Sequence, residues 1–172
     1  MGDPIDQTRI VEELSPQWIE TLSSERRERA RAVLAELVAS WAVEADARPN
    51  PNAVLRFQRE DLEAAAGANA DRLAVLEREL LRRKVDELNA RTYQLGLAIL
   101  DGELGESERR ERGRGLLTEA EQFGQRAKSL GLEPADPIRR SLSDAVMEAL
   151  YAVEGRAMSA RLDRARTERL AR

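Results

Sequence analysis

The chain has no cysteine and no histidine among its 172 residues. That removes disulfides, thiolate nucleophiles, cysteine–histidine zinc sites and histidine proton shuttles. Ser-His-Asp and Cys-His constellations cannot be built, nor can the Glu-x-x-His sites of ferritin-like bundles. Aromatic residues are 3% of the chain, so a core has to be assembled from Leu, Val and Ala. No apolar run is long enough to span a bilayer. The opening stretch MGDPIDQTRIVEEL is acidic and lacks the basic start and apolar run of a signal peptide. It also fits the myristoylation pattern poorly. These absences lead to the expectation of a cytoplasmic protein with no membrane segment. Alternating runs of β-branched and aromatic residues between turn dipeptides are missing too, so strands are not expected.

Charge is what the chain has in quantity. Charged residues make up 35% of it and apolar residues 42%, a balance that suits long amphipathic helices with a thin apolar seam. Only Lys84 and Lys128 are lysines; every other basic residue is arginine. The arginine excess reads as GC-rich bacterial codon usage, with bidentate phosphate or carboxylate contacts as the functional alternative. The net charge is −4, whereas a duplex-binding protein usually needs a basic face.

Prolines, glycines and capping residues divide the chain into about five helices. Ser15-Pro16 starts a short one, residues 16–22, with Val11, Leu14, Trp18 and Leu22 on one stripe. Ser23 or Ser24 caps a second helix running to about Ala47. Its buried stripe is Ala30, Val33, Leu34, Leu37, Val38 and Trp41. After Asn50-Pro51 a long pattern weakens at Gly67, restarts near Asn69 and runs to Leu100 through Leu73, Leu76, Leu80, Leu81, Val85, Leu88, Leu95 and Ile99. A fourth helix starts near Ser107, with Gly113 and Gly115 able to delay its regular part, and ends at Gly131. Asp136-Pro137 starts the last helix, whose buried face is Ile138, Leu142, Val146, Leu150, Val153 and Ala157. Short loops favour antiparallel neighbours. The expected fold is an all-α antiparallel bundle with two long helices, organised as an acidic arm over 1–22 and a bundle over 23–172.

One string occurs twice at helix starts: SERRERARAVLAE from Ser24 and SERRERGRGLLTE from Ser107. A duplicated helical hairpin, with units 24–100 and 107–172, and coincidence in an Arg/Glu-rich chain both explain it. The interval is far longer than the ~34 residues of tetratricopeptide units. Most of these arginines have acidic neighbours three or four residues away, which implies a solvated face laced by ion pairs. Arg26, Arg27, Arg109 and Arg110 differ, because cations in a first turn oppose the helix dipole. They are the candidate anion contacts.

No catalytic, cofactor or metal residue is assigned. Neither lysine follows a Gly-rich phosphate loop. The pairs Glu60/Glu63 and Asp144/Glu148 have the spacing of all-α metal-dependent hydrolases, but they fall beside arginines on polar faces. The leading expectation is a non-enzymatic scaffold, adaptor or assembly component that binds protein partners, itself included. The alternative is a nucleic-acid-associated regulator using the basic C-terminal stretch, and the third is a carboxylate metal-dependent hydrolase. The candidate interface joins Val11, Leu14, Trp18 and Leu22 of the arm with Arg161, Arg164 and Arg169 near the C-terminus. Opposite charge would orient that contact. Docking of the arm on its own bundle is the competing outcome.

Overall fold

The computed structural model describes residues 18–46, 58, 60–62, 64–67 and 71–170. Among these residues all regular structure is helical. A 3₁₀ turn, Ile19–Thr21, precedes α1 (Ser24–Asp46), α2 (Arg72–Leu100), α3 (Glu106–Ser129), α4 (Pro137–Val153) and α5 (Met158–Leu170). Residues 60–62 and 64–67 are helical as well. The all-α class follows the spacing. The chain divides into two compact units, Met1–Leu80 and Leu81–Arg172, so the boundary lies within α2. It coincides neither with the arm boundary at residue 22 nor with the repeat boundary between 100 and 107.

In the first unit α1 buries the stripe read from its sequence. Ala30, Val33, Leu34, Leu37, Val38 and Trp41 are all inside, and Ala45 continues the row. They pack with Leu62 and with Leu73 and Leu76 at the start of α2. Ile19, fully buried, joins this core, while Trp18 and Leu22 pack half-buried against it. The expected short α-helix over 16–22 is corrected in its described part, which is a 3₁₀ turn. Leu22 ends that turn because its backbone is extended (ψ 158°) while its N–H still donates to the Ile19 carbonyl. The Thr21 hydroxyl donates to the Trp18 carbonyl at 2.6 Å. The chain is thereby released to enter α1 at Ser24. Val11 and Leu14, the Ser15-Pro16 start, the Asn50-Pro51 start and the Asn69 restart lie outside the described residues.

In the second unit Leu81, Val85, Leu88 and Leu95 of α2 meet Leu116, Ala120 and Ala127 of α3 and the apolar face of α4. That face is shifted from the expected one. Ile138, Leu142 and Ala157 are buried and Val146 and Val153 are half-buried, but Ala145, Ala149 and Ala152 join the buried row, and Leu150 is 42% exposed. The physical reason is close approach. An ideal Cβ on Gly113 would stand 2.6 Å from Val153 Cγ2 and 3.3 Å from the Ala149 carbonyl oxygen. Gly113 makes room for the Val153 side chain and for the α4 backbone at Ala149, so the two helices close tightly there. Near the other end of α3, Gly124 faces Leu142, so α3 and α4 run in opposite directions. A polar clasp joins α2 to α4: Asn89 Nδ2 donates to the Ser141 hydroxyl at 2.7 Å and to its carbonyl at 3.1 Å.

The punctuation of this unit is local. Asp136 caps α4 as expected, its carboxylate accepting from the Ile138 N–H at 2.9 Å, with Pro137 in the first helical position. Gly131 ends α3 with φ +68°. Gly113 does not delay α3, which runs unbroken from Glu106. The single last helix expected from Asp136 onward is corrected: α4 stops at Val153, and α5 begins at Met158. Gly155 makes the break, since its φ of +81° is left-handed backbone that terminates a right-handed helix.

Two outcomes test this packing. Leu88→Ala should cost about 2–5 kcal/mol because the side chain is fully enclosed, whereas Leu150→Ala should stay within about 0.5 kcal/mol. Urea unfolding at low protein concentration, followed by circular dichroism, reads both. Within α3, Gly115→Ala should stabilise by about 1 kcal/mol, since nothing lies within 4 Å of its added Cβ. Gly113→Ala should instead destabilise by about 1–3 kcal/mol through overpacking on Val153. Equal effects at the two glycines would refute the close approach.

Candidate interaction site

The four candidate anion-contacting arginines are engaged inside the chain. Arg26 pairs with Asp71 at 2.8 Å. Arg27 donates to the backbone carbonyls of Glu20 and Leu22 at 3.1 and 3.2 Å, fastening the 3₁₀ turn to α1. Arg110 pairs with Glu106 one turn back at 2.6 Å. Arg109 reaches across to α4 and donates to the last carbonyls of that helix, Ala152 at 2.6 Å and Val153. The apparent conflict with the helix dipole is thus resolved for Arg109. It stands in the first turn of α3, but its guanidinium sits at the negative C-terminal end of α4, where a cation is favoured. The remaining ion pairs divide in two. Arg82–Asp86 and Arg112–Glu108 join neighbouring turns as the spacing predicts. Arg29 pairs with Glu77, Arg31 with Glu20 and Arg91 with Glu119, partners far away in sequence.

Two open grooves border these pairs. In the first unit Trp18, Leu22, Arg26, Asp71 and Arg72 line one of about 470 Å³. The Arg72 guanidinium lies over the Trp18 ring, 5.9 Å from its centroid. In the second unit Lys84, Glu87, Gly115, Thr118 and Phe123 line a groove of about 420 Å³ between α2 and α3. Neither gathers acidic groups into a metal cage, and no cluster of three potential ligands occurs among the described residues. The Glu148 carboxylate, a candidate hydrolase group, accepts hydrogen bonds from the Ser159 N–H at 3.2 Å and from its hydroxyl.

The C-terminal candidates separate from one another. Arg164 is paired with Asp101 through two hydrogen bonds at 2.9 and 3.3 Å, tying α5 to the end of α2. The hydrogen bond from Arg164 holds the Asp101 carboxyl below its usual carboxylate value. Arg161 is exposed and has no ion-pair partner among the described residues. The Arg169 side chain lies outside the described residues. Gly96 lets α5 close on α2, with ideal-Cβ distances of 3.4 Å to Ala160 and 3.6 Å to Ala157.

The surface of this region holds Met147, Met158 and Leu162, which the spacing reading passes over, and Leu150, which it places on the buried face. Met147 and Leu150 of α4 are 44% and 42% exposed, and Met158 and Leu162 of α5 are 47% and 64% exposed. Their spacing of three and four residues was the available signal. The spacing reading takes Leu150 alone of these into the buried stripe and reads the stretch after residue 156 for its excess of arginine. On the arm, Ile19 was the missed anchor, because the stripe of Trp18 and Leu22 steps past it. Compared with known proteins, the chain matches no family model, no curated protein and no solved structure.

Two substitutions separate the roles of adjacent arginines. Arg109→Ala leaves helix-end carbonyls without their charged donor and should cost about 1–3 kcal/mol. Arg110→Ala removes one exposed pair within a helix and should cost about 0.5 kcal/mol or less. A pH titration checks the α5 tether. Asp101 has a folded-state pKa below its unfolded value, so its contribution is present above the unfolded pKa. That contribution is lost as pH falls through the lower folded value. Arg164→Gln should return the Asp101 titration, followed by NMR, to the ordinary carboxylate range.

Proposed function

We propose that this chain is a non-enzymatic helical protein that works by binding protein partners, itself included, as a scaffold, adaptor or assembly component. The observation that carries this reading is the apolar surface on the last two helices. Met147, Leu150, Met158 and Leu162 are large aliphatic side chains left in solvent by a chain with few apolar residues to spare. Isolated exposed apolar residues are ordinary, but several together on one region mark an interaction surface. The arginine clusters support the same reading indirectly. Arg26, Arg27, Arg109 and Arg110 are held by carboxylates or carbonyls of their own chain, which leaves them poorly placed to grip phosphates.

The arm takes a smaller part in this proposal than the spacing suggests. Trp18 and Leu22 pack on the core of their own unit, and Ile19 anchors them there. The first unit holds 16 acidic and 10 basic residues, the second 16 acidic and 18 basic. The second unit's slight basic excess is what a nucleic-acid reading has in its favour.

Light scattering and a salt-titrated DNA and RNA shift test the proposal together. The expected results are a mass above the 19.3 kDa of one chain and nucleic-acid binding that is weak at physiological salt. A log–log salt slope of about −3 or steeper, meaning three or more neutralised phosphates, would replace the proposal with the nucleic-acid reading.

A further inference from the structure

We propose that α5 is a strap that opens beyond the Gly155 turn and unwinds while α2, α3 and α4 stay folded. The contact between Glu148 and Ser159 is the clasp that holds it closed. The device lies within the second unit, and every contact it uses belongs to one chain.

α5 buries little. Of its nine described side chains Ala160 is enclosed and Ser159 is half-buried, while the other seven, Met158 and Leu162 among them, are exposed. Ala157, just before the helix, is buried with Ala160. These two alanines close on Gly96 of α2, whose ideal Cβ would stand 3.4 Å from Ala160 and 3.6 Å from Ala157. By contrast α4 encloses Ile138 and Leu142 together with three alanines. Burying a methyl group stabilises far less than burying a Leu or Ile side chain. The tether from Arg164 to Asp101 is exposed at both ends, and exposed pairs contribute little. Segments with few buried apolar contacts are the ones that open first.

The N-terminus of α5 is capped from α4. A helix start needs acceptors for its free N–H groups, and a nearby acid suits its dipole. The residue before α5 is Ala157, whose side chain accepts nothing, and the first turn contains no acid. Glu148 supplies both. Its carboxylate accepts from the Ser159 N–H at 3.2 Å and from the Ser159 hydroxyl. A helix of 13 residues is marginal in water by itself. α5 therefore keeps its helical form where Glu148 reaches it, and undocking and unwinding are one event.

The end of α4, in turn, is complete without α5. The Gly155 N–H donates to the Ala152 carbonyl at 3.1 Å and the Arg156 N–H to the Tyr151 carbonyl at 2.7 Å, the paired bonds of a glycine-terminated helix. Arg109 serves the Ala152 and Val153 carbonyls from α3. The chain beyond Arg156 can leave without stranding any of these groups. Closed, the strap covers Gly96 of α2; open, it bares that surface.

Hydrogen exchange of the full chain, resolved helix by helix with NMR, tests the strap. In the unsubstituted chain the α5 amides should exchange about tenfold or more faster than the central amides of α3 and α4. Glu148→Ala should speed α5 exchange by about five- to thirtyfold more, the effect of a lost N-terminal cap, and leave α3 and α4 within about twofold. Glu148→Gln keeps an acceptor oxygen but loses the charge, so its effect should fall between. α5 amides as protected as those of α3 and α4 in the unsubstituted chain overturn the proposal. So does a Glu148→Ala chain in which α5 exchange is unchanged, or in which all three helices accelerate in step. Should Glu148→Ala fail to fold, the unsubstituted chain and Glu148→Gln decide by the same criteria.

Discussion

The second unit depends on how closely α3 and α4 approach. Gly113 is the residue that permits it, with the Val153 side chain and the Ala149 backbone standing where a side chain would go. Close approach of two opposed helices brings the start of one beside the end of the other. Arg109 is then within reach of the terminal carbonyls of α4, and Gly155 turns the chain away beside it. An ideal Cβ on Gly155 would lie 3.2 Å from the Arg109 guanidinium carbon, so the arginine packs against the turn as well as bonding to the helix end. Gly113, Arg109 and Gly155 thus form one device that sets the spacing, the cap and the exit. On α4, Ala145, Ala149 and Ala152 are buried while Met147 and Leu150 stay exposed.

The repeated SERRER strings show how context assigns roles to identical residues. Ala30 in the first copy and Gly113 in the second occupy the same position after the string, and both are buried. The small residue is the common structural requirement in both. The arginines two positions into each copy differ in use. Arg26 makes an exposed pair with Asp71, whereas Arg109 makes a half-buried contact with backbone carbonyls. The next pair differs in the opposite sense, since Arg27 bonds to carbonyls and Arg110 to a carboxylate one turn away. Exposed pairs add little to stability, while a charged donor serving helix-end carbonyls away from solvent adds more. The string marks a helix start in both places, and its surroundings determine which arginine matters.

The same logic governs the interaction surface. Tryptophans are frequent interface anchors, which made Trp18 the natural candidate in the acidic arm. In the structure its neighbour Ile19 is the fully buried residue, and the 3₁₀ turn lays Trp18 and Leu22 along the first unit's core. The basic C-terminal stretch was read for its arginines, yet Arg164 is tied back to Asp101. What faces solvent there is Met158 and Leu162, which a count of charges does not register. The apolar surface that carries the functional proposal thus comes from side chains that the fold leaves exposed.

The sequence by itself determined what depends on neighbours a few residues apart. The helical class, the stripe of α1, the apolar positions of α2, the Asp136 cap and the stop at Gly131 were all legible, because periodicity and capping are local physics. The absence of cysteine and histidine also fixed, from the sequence alone, which chemistries are impossible. Only the tertiary structure decided which face of α4 is buried, where the last helix breaks, which arginines meet backbone carbonyls and which apolar side chains remain outside. Each of these is settled by what stands opposite. On α4 an alanine row and a leucine–valine row both keep helical period, so periodicity cannot choose between them. In the fold Ala145, Ala149 and Ala152 are enclosed, Val146 and Val153 are half-buried and Leu150 is exposed, an outcome set by the helices packed against α4.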